Sequence, residues 1–283
     1  MRRTRFYAGV GLVGVGMALV GGCRANAGTV DEAAVYGDDV SQTEGDTEAL
    51  ASLHVGVSSS GGLTPASLEG SSLHLQSGPS GALVQALSPA GCVTETADLA
   101  SSKVTYVYSD CTGPWGLVHL TGTVEVTYSS TGPDNLTLDF SASDFQINRA
   151  TLSTWTATAV VTATGSTRSM TWNASLAGTT GGGRAFTRTN QKDISWNVGT
   201  SPLCVSVSGT SQGTVSGLDL KTTVAGYQRC QGACPASGSD ITIEDVANGD
   251  EVDIKYDGGP TATVTLTAGG KTDQINLTLA CGL

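Results

Sequence analysis

The sequence predicts an all-β protein, an antiparallel meander closed into a sandwich or an open barrel and stapled by disulfides. Three observations predict it. Apolar residues recur at every second position in run after run from Cys92 onward, turn-forming residues separate the runs, and six of the seven cysteines lie at or beyond position 92. Alternation over short segments rich in Val, Ile and Thr is the mark of strands with one covered face.

The runs succeed one another along the chain. Val104, Tyr106 and Tyr108 alternate first, then Val118 and Leu120, and after Thr121-Gly122-Thr123 come Val124, Val126 and Tyr128. Leu136, Leu138 and Phe140 repeat the period, as do Trp155, Ala157, Ala159 and Val161, then Met170, Trp172, Ala174 and Leu176, and Ile194, Trp196 and Val198. The last third carries Ile241 and Ile243, Val252, Ile254 and Tyr256, Ala262, Val264 and Leu266, and Ile275, Leu277 and Leu279. Between the runs stand Gly132-Pro133-Asp134, Gly181-Gly182-Gly183, Asn248-Gly249, Asp257-Gly258-Gly259-Pro260 and Gly269-Gly270. Asn-Gly and Asp-Gly supply the positive backbone angles of tight hairpins. About a dozen strands joined mainly by hairpins make a meander that must curl to cover its apolar face. A membrane-spanning barrel would need lipid-facing strands and aromatic girdles, and only 5% of the residues are aromatic. A β-helix would show a fixed repeat, and none is found.

Composition narrows the function classes. The chain has 283 residues, 14% charged and 39% hydrophobic, with 38 Gly and a formal charge of −11. These values exclude a basic nucleic-acid binder, a coiled coil and a helical membrane bundle. No cofactor or nucleic-acid partner is expected.

The first residues set the address. Arg2, Arg3 and Arg5 precede an uncharged run from Phe6 to Val20, shorter than the ~20 apolar residues a spanning helix needs. A basic head, a short apolar run and small residues after it read as an export signal. Val20-Gly21-Gly22-Cys23 resembles the lipobox of bacterial lipoproteins. That resemblance implies a diacylglycerol on the Cys23 sulfur, removal of residues 1–22, and a membrane partner reached through the lipid; two or more acyl chains hold a protein durably on a bilayer. Arg24 follows the cysteine where enteric lipoproteins kept at the inner membrane carry Asp, so the resemblance implies the outer membrane, facing the periplasm or the surface. Removal of Arg2, Arg3 and Arg5 leaves 11 basic against 25 acidic residues, a charge of −14. Asp110-Cys111-Thr112-Gly113-Pro114-Trp115-Gly116 and Cys234-Pro235-Ala236-Ser237-Gly238 are also similar to Cys- and Gly-punctuated segments of β-rich lipoproteins of myxobacterial type, which brings no activity with it.

The chain divides into three regions. Residues 1–22 are the signal and 23–50 a lipidated Cys followed by a tether. Residues 51–283 are the body, irregular and mixed over 51–91 and stranded over 92–283. The tether carries Asp31, Glu32, Asp38, Asp39, Glu44, Asp46 and Glu48 against Arg24. With so few large apolar residues it is expected to be disordered and solvated.

In an exported chain six cysteines argue for disulfides. Six allow many pairings, and the sequential one is the expectation: Cys92–Cys111, Cys204–Cys230 and Cys234–Cys281. Cys230 and Cys234 would need a second close Cys/His pair to hold zinc, and their spacing is one residue too long for a redox pair.

Three groups of residues invite a functional reading. Gly209-Thr210-Ser211-Gln212-Gly213 matches a hydrolase nucleophile elbow, but the next residues, Thr214 to Leu220, are strand-like and no His lies beyond residue 119, so no catalytic residue is assigned. Asp250, Asp253 and Asp257, near Asn248-Gly249, offer carboxylates for Ca²⁺, against the plainer reading of a solvated hairpin; no metal is assigned. Trp155, Trp172 and Trp196 lie in core phase, whereas Trp115 sits in a loop and is the candidate sugar-stacking ring. The function expected is a non-enzymatic, lipid-anchored envelope protein with a structural or interaction role. A carbohydrate- or protein-binding adhesin is the alternative and a hydrolase the third reading.

Overall fold

The computed structural model describes residues 40, 43–48, 50, 51, 54, 87–98, 100–113, 118–132, 134–197, 204–230 and 233–279. Among the described residues fourteen strands form: β1 (Val93–Asp98), β2 (Lys103–Thr112), β3 (His119–Gly132), β4 (Asn135–Ala142), β5 (Phe145–Ile147), β6 (Ala150–Thr164), β7 (Thr167–Thr179), β8 (Ala185–Asn197), β9 (Cys204–Val215), β10 (Leu218–Cys230), β11 (Asp240–Asp245), β12 (Asp250–Tyr256), β13 (Thr261–Ala268) and β14 (Lys271–Thr278). All belong to one antiparallel sheet whose spatial order is the chain order. The single complication is β5, which lies beyond the end of β4 and takes its place between β3 and β6. Asp144 and Asn148, at φ 52° and 53°, turn the chain on either side of it. Asn and Asp tolerate that conformation better than other non-glycine residues. The expected meander is what forms, and it curls barrel-like around its apolar face.

The curl has two cores. The larger joins the inward residues of β1 to β10, with Trp155, Trp172, Tyr106, Tyr108, Phe145 and Leu152 almost wholly buried. The smaller lies under β11 to β13 and the end of β10, built on Tyr227, Ile241, Ile243, Val252, Ile254, Tyr256, Ala262 and Val264. In β8 burial alternates almost without fault over 13 residues, which is what the period of two in its sequence dictates. The neighbouring long strands β6, β7 and β8 have 15, 13 and 13 residues. Their outward positions hold mainly Thr, Ser, Asn and Gln, the inverse of the apolar outer band that a membrane-spanning barrel requires.

The tether departs from expectation. Residues 43–48, assigned to a disordered segment, are helical, as are Val40, Leu50, Ala51 and His54; these described residues are labelled α1. Residues 23–39, 41, 42 and 49 of the predicted tether lie outside the described residues, and so do the signal and most of 51–91. Val40, Thr43, Glu44, Thr47, Glu48, Leu50, Ala51 and His54 are all buried. Their spacing is that of one helical stripe, and Val40, Leu50 and Ala51 belong to the larger core. Acid content concealed it: the stripe is filled largely by Thr, Glu and His rather than by Leu, and the carboxylates are neutralised by partners far along the chain.

Two of the expected disulfides are present, Cys92–Cys111 and Cys204–Cys230. The first clamps the start of β1 to β2 just after the irregularity between Tyr108 and Cys111. The second joins residues directly opposite in β9 and β10. Cys234 is disulfide-bonded as well; Cys281, its expected partner, lies outside the described residues. Each described bridge closes a loop of 19 or 26 positions, for which chain-entropy arguments give about 3 kcal/mol.

Candidate functional site

Under β8 and β9 the inner face is ionic. In-phase positions of β8 run Phe186, Arg188, Asn190, Lys192, Ile194 and Trp196, so two cations point into the core. The acids of α1 meet them. Arg188 Nε donates to Glu44 Oε1 at 2.8 Å, with side-chain exposures of 0% and 2%. The rest of the guanidinium donates to the Leu220 carbonyl and, at 3.0 Å, to Thr222 Oγ1. Ser211 Oγ donates to Glu44 Oε2 at 2.8 Å. Lys192 Nζ pairs with Glu48. Burial raises the Glu48 pKa, against the opposing pull of Lys192. Lys192, which burial alone would lower, is held above its ordinary value by the charges of Glu48 and Glu44. Burying two carboxylates and two cations is tolerable only because each is paired, and Arg188 and Glu44 are hydrogen-bonded further.

This lock explains the Gly-x-Ser-x-Gly match. Gly209 lies opposite Lys192 and Gly213 opposite Arg188, with Ser211 between them opposite Asn190. A Cβ on Gly209 would stand 2.2 Å from the Gln191 carbonyl oxygen, and one on Gly213 2.0 Å from that of Thr187. Both glycines have φ near 145°, where a side chain is strained. They let β9 press against β8 beside the two long cations. Ser211 is a buried mid-strand hydroxyl donating to a carboxylate, not a nucleophile on a strand-to-helix turn.

The other end of α1 is aromatic. His54 Nε2 and the Tyr108 hydroxyl are 3.0 Å apart, and the imidazole packs edge-on against Tyr106 and Phe140. Burial lowers the His54 pKa to about 3, so the ring is neutral. Asp46 accepts a hydrogen bond from Asn148 Nδ2 at 2.7 Å; burial outweighs that bond and raises its pKa to about 6. Helix α1 is thus held to β2, to the turn after β5, to β8 and to β9.

The outer face of the same strands carries a trough of about 620 Å³. Strand register shows how it arises. One wall is the cross-strand ladder Asp139, Thr158, Asn173, Gln191, Thr210, each opposite the next from β4 to β9. The other is Thr156, Ser175, Thr189 and Gln212 on β6 to β9. The row between them, Phe140, Ala157, Ala174 and Asn190, turns its side chains inward and leaves backbone as the floor. Every wall residue offers a hydroxyl, an amide or a carboxylate. Thr158 Oγ1 donates to Asp139 Oδ1 at 2.6 Å and fixes the β4 end.

The other candidate residues do not assemble into sites. Asp250, Asp253 and Asp257 do not converge. Asp250 is buried and accepts from the Gly269 N–H; Asp253 pairs with Lys255 at 2.5 Å; Asp257 accepts from the Gly259 N–H and Thr261. Among the described residues no three His, Cys, Asp or Glu side chains are grouped to hold a metal. Trp155, Trp172 and Trp196 are core residues, at 0%, 0% and 7% exposure. Cys23 and Trp115 lie outside the described residues. The set Glu44, Glu48, Arg188 and Lys192 is absent from the sequence-based candidates; cations in the core phase of β8 were the available signal. The chain matches no protein-family model, no curated protein and no solved structure.

Proposed function

We propose that the protein is a non-enzymatic, lipid-anchored component of a bacterial cell envelope, held at the outer membrane by acyl chains on Cys23, with a structural or interaction role. The observation that carries this reading is Val20-Gly21-Gly22-Cys23 directly behind a basic head and a short apolar run. The paired cysteines support it, since bridges persist in oxidising compartments. The nearness of α1 to the proposed anchor gives the role a mechanical form. Seventeen positions after Cys23 the chain reaches Val40, buried in the larger core, so the lipid holds the body by its inside. The experiment is an intact mass of the detergent-extracted protein. The reading expects a chain starting at Cys23 with acyl additions, lost in a Cys23→Ser variant; a chain starting at Met1 without them refutes it.

A glycan-binding adhesin is the second reading, and the trough favours it. Its walls are hydroxyl and amide groups with one carboxylate, Asp139, and no cation, a chemistry suited to neutral sugars.

A further inference from the structure

We infer that the trough across β4, β6, β7, β8 and β9 binds a linear, uncharged, 1,4-linked glycan lying at right angles to the strands; this rests on the adhesin reading and gives it a site. The direction comes from the register. Both ladders run across the sheet, so the groove repeats once per strand, at about 4.8 Å. That repeat is close to the advance of an extended 1,4-linked chain per sugar ring, so equivalent hydroxyls of successive rings meet equivalent wall groups. Five strands span roughly 19 Å. The walls are two residues apart along each strand, about 7 Å, room for one chain on its edge.

The wall chemistry selects the occupant. Asn173, Gln191 and Gln212 each present a donor and an acceptor, and the Thr and Ser hydroxyls do both. Sugar hydroxyls need this mixed supply. An anionic polymer would find no Lys or Arg in the walls and a chain of net charge −11 around them. A lipid or an apolar helix would find no apolar side chain facing it. Asp139, steadied by Thr158, sits at one end as the single carboxylate able to accept from adjacent hydroxyls. Behind the floor, Phe140 packs against Trp155 and Trp172 at ring separations of 5.6 and 5.9 Å. The wall residues therefore stand on strands backed by packed aromatic rings, a preorganised support that limits the ordering cost on binding.

The test is calorimetric titration of the full chain with cello-oligosaccharides of two to six rings, and with chitopentaose and xylopentaose. Affinity is expected to rise with each ring up to about five, one per strand, and then level off. Asn173→Ala with Gln191→Ala is expected to weaken pentaose binding about tenfold or more, two hydrogen-bonding groups being lost, without moving the thermal midpoint. Binding that is independent of length, or unchanged in that double variant, overturns the trough as the site while the adhesin reading stands elsewhere on the protein. Absence of binding by all three sugar series overturns both.

Discussion

Replacement of Glu44 and Arg188, singly and together, probes the seat of α1. Arg188 has no solvent-exposed side-chain surface and Glu44 almost none. Glu44→Gln leaves two buried cations, Arg188 and Lys192, facing the single carboxylate of Glu48. A guanidinium does not shed its proton, so the loss falls at about 3 to 5 kcal/mol, the range for breaking a buried pair. Arg188→Met is milder, about 2 to 4 kcal/mol, because Glu44 keeps its donor Ser211 and the attraction of Lys192. The double variant removes both charges and is expected within about 1 kcal/mol of the parent, a coupling of several kcal/mol. Urea unfolding of the full chain with disulfides intact, followed by tryptophan fluorescence, gives all four values; Trp172 lies directly opposite Lys192 in the sheet. Additive losses below about 1 kcal/mol each would refute the reasoning, since groups so buried and so paired cannot be separated cheaply.

The pH dependence carries opposed contributions, two of them from His54 and Asp46 on α1. His54, held near 3 by burial, lets the unfolded chain take up a proton that the folded one refuses, so stability falls from pH 6.5 downward, by about 2 to 3 kcal/mol at pH 4.5. Asp46, raised to about 6, adds stability as pH falls from 6 toward 4. His54→Gln should therefore flatten the acid loss and Asp46→Asn steepen it; urea midpoints between pH 4.5 and 7.5 decide. Gly213→Ala, forcing a Cβ onto the Thr187 carbonyl oxygen, should destabilise by about 2 to 3 kcal/mol, read as a drop in Tm. Ser211→Ala removes one charge-assisted donor from Glu44 and should lower stability by about 1.5 to 3 kcal/mol; no ester- or peptide-bond hydrolysis should distinguish it from the parent. Replacing Cys92 and Cys111 by Ala should cost about 3 kcal/mol in the same urea assay.

The features legible in the sequence are those that repeat locally. The period of two placed Val104, Tyr106 and Tyr108, Trp155, and Trp172 on the inner face, and the Gly-rich steps placed the hairpins, because strand geometry ties side-chain direction to sequence parity. Sequential cysteine pairing gives Cys92–Cys111 and Cys204–Cys230, since meander neighbours in sequence are neighbours in space. Helix α1 was not legible. Its stripe has helical spacing, but Thr43, Glu44, Thr47, Glu48 and His54 outnumber the apolar Val40, Leu50 and Ala51, and its neutralising partners lie 144 positions away. The parity of β8 held the means to find it, for Arg188 and Lys192 share the phase of Phe186 and Trp196 and so require buried anions. The trough was half legible. Outward Thr, Ser, Asn and Gln could be read strand by strand, but whether Asn173 stands beside Gln191 depends on register across a hairpin, which the sequence leaves open.

Native-state amide hydrogen exchange over residues 43–48 addresses the seating of α1 within the curled sheet directly. If this stretch is folded into the larger core by Glu44 and Glu48, its interior amides exchange only when the body unfolds, with the protection of the core strands β6 to β8. Exchange of these amides at unprotected rates, in a chain whose β6 to β8 amides remain protected, would contradict it.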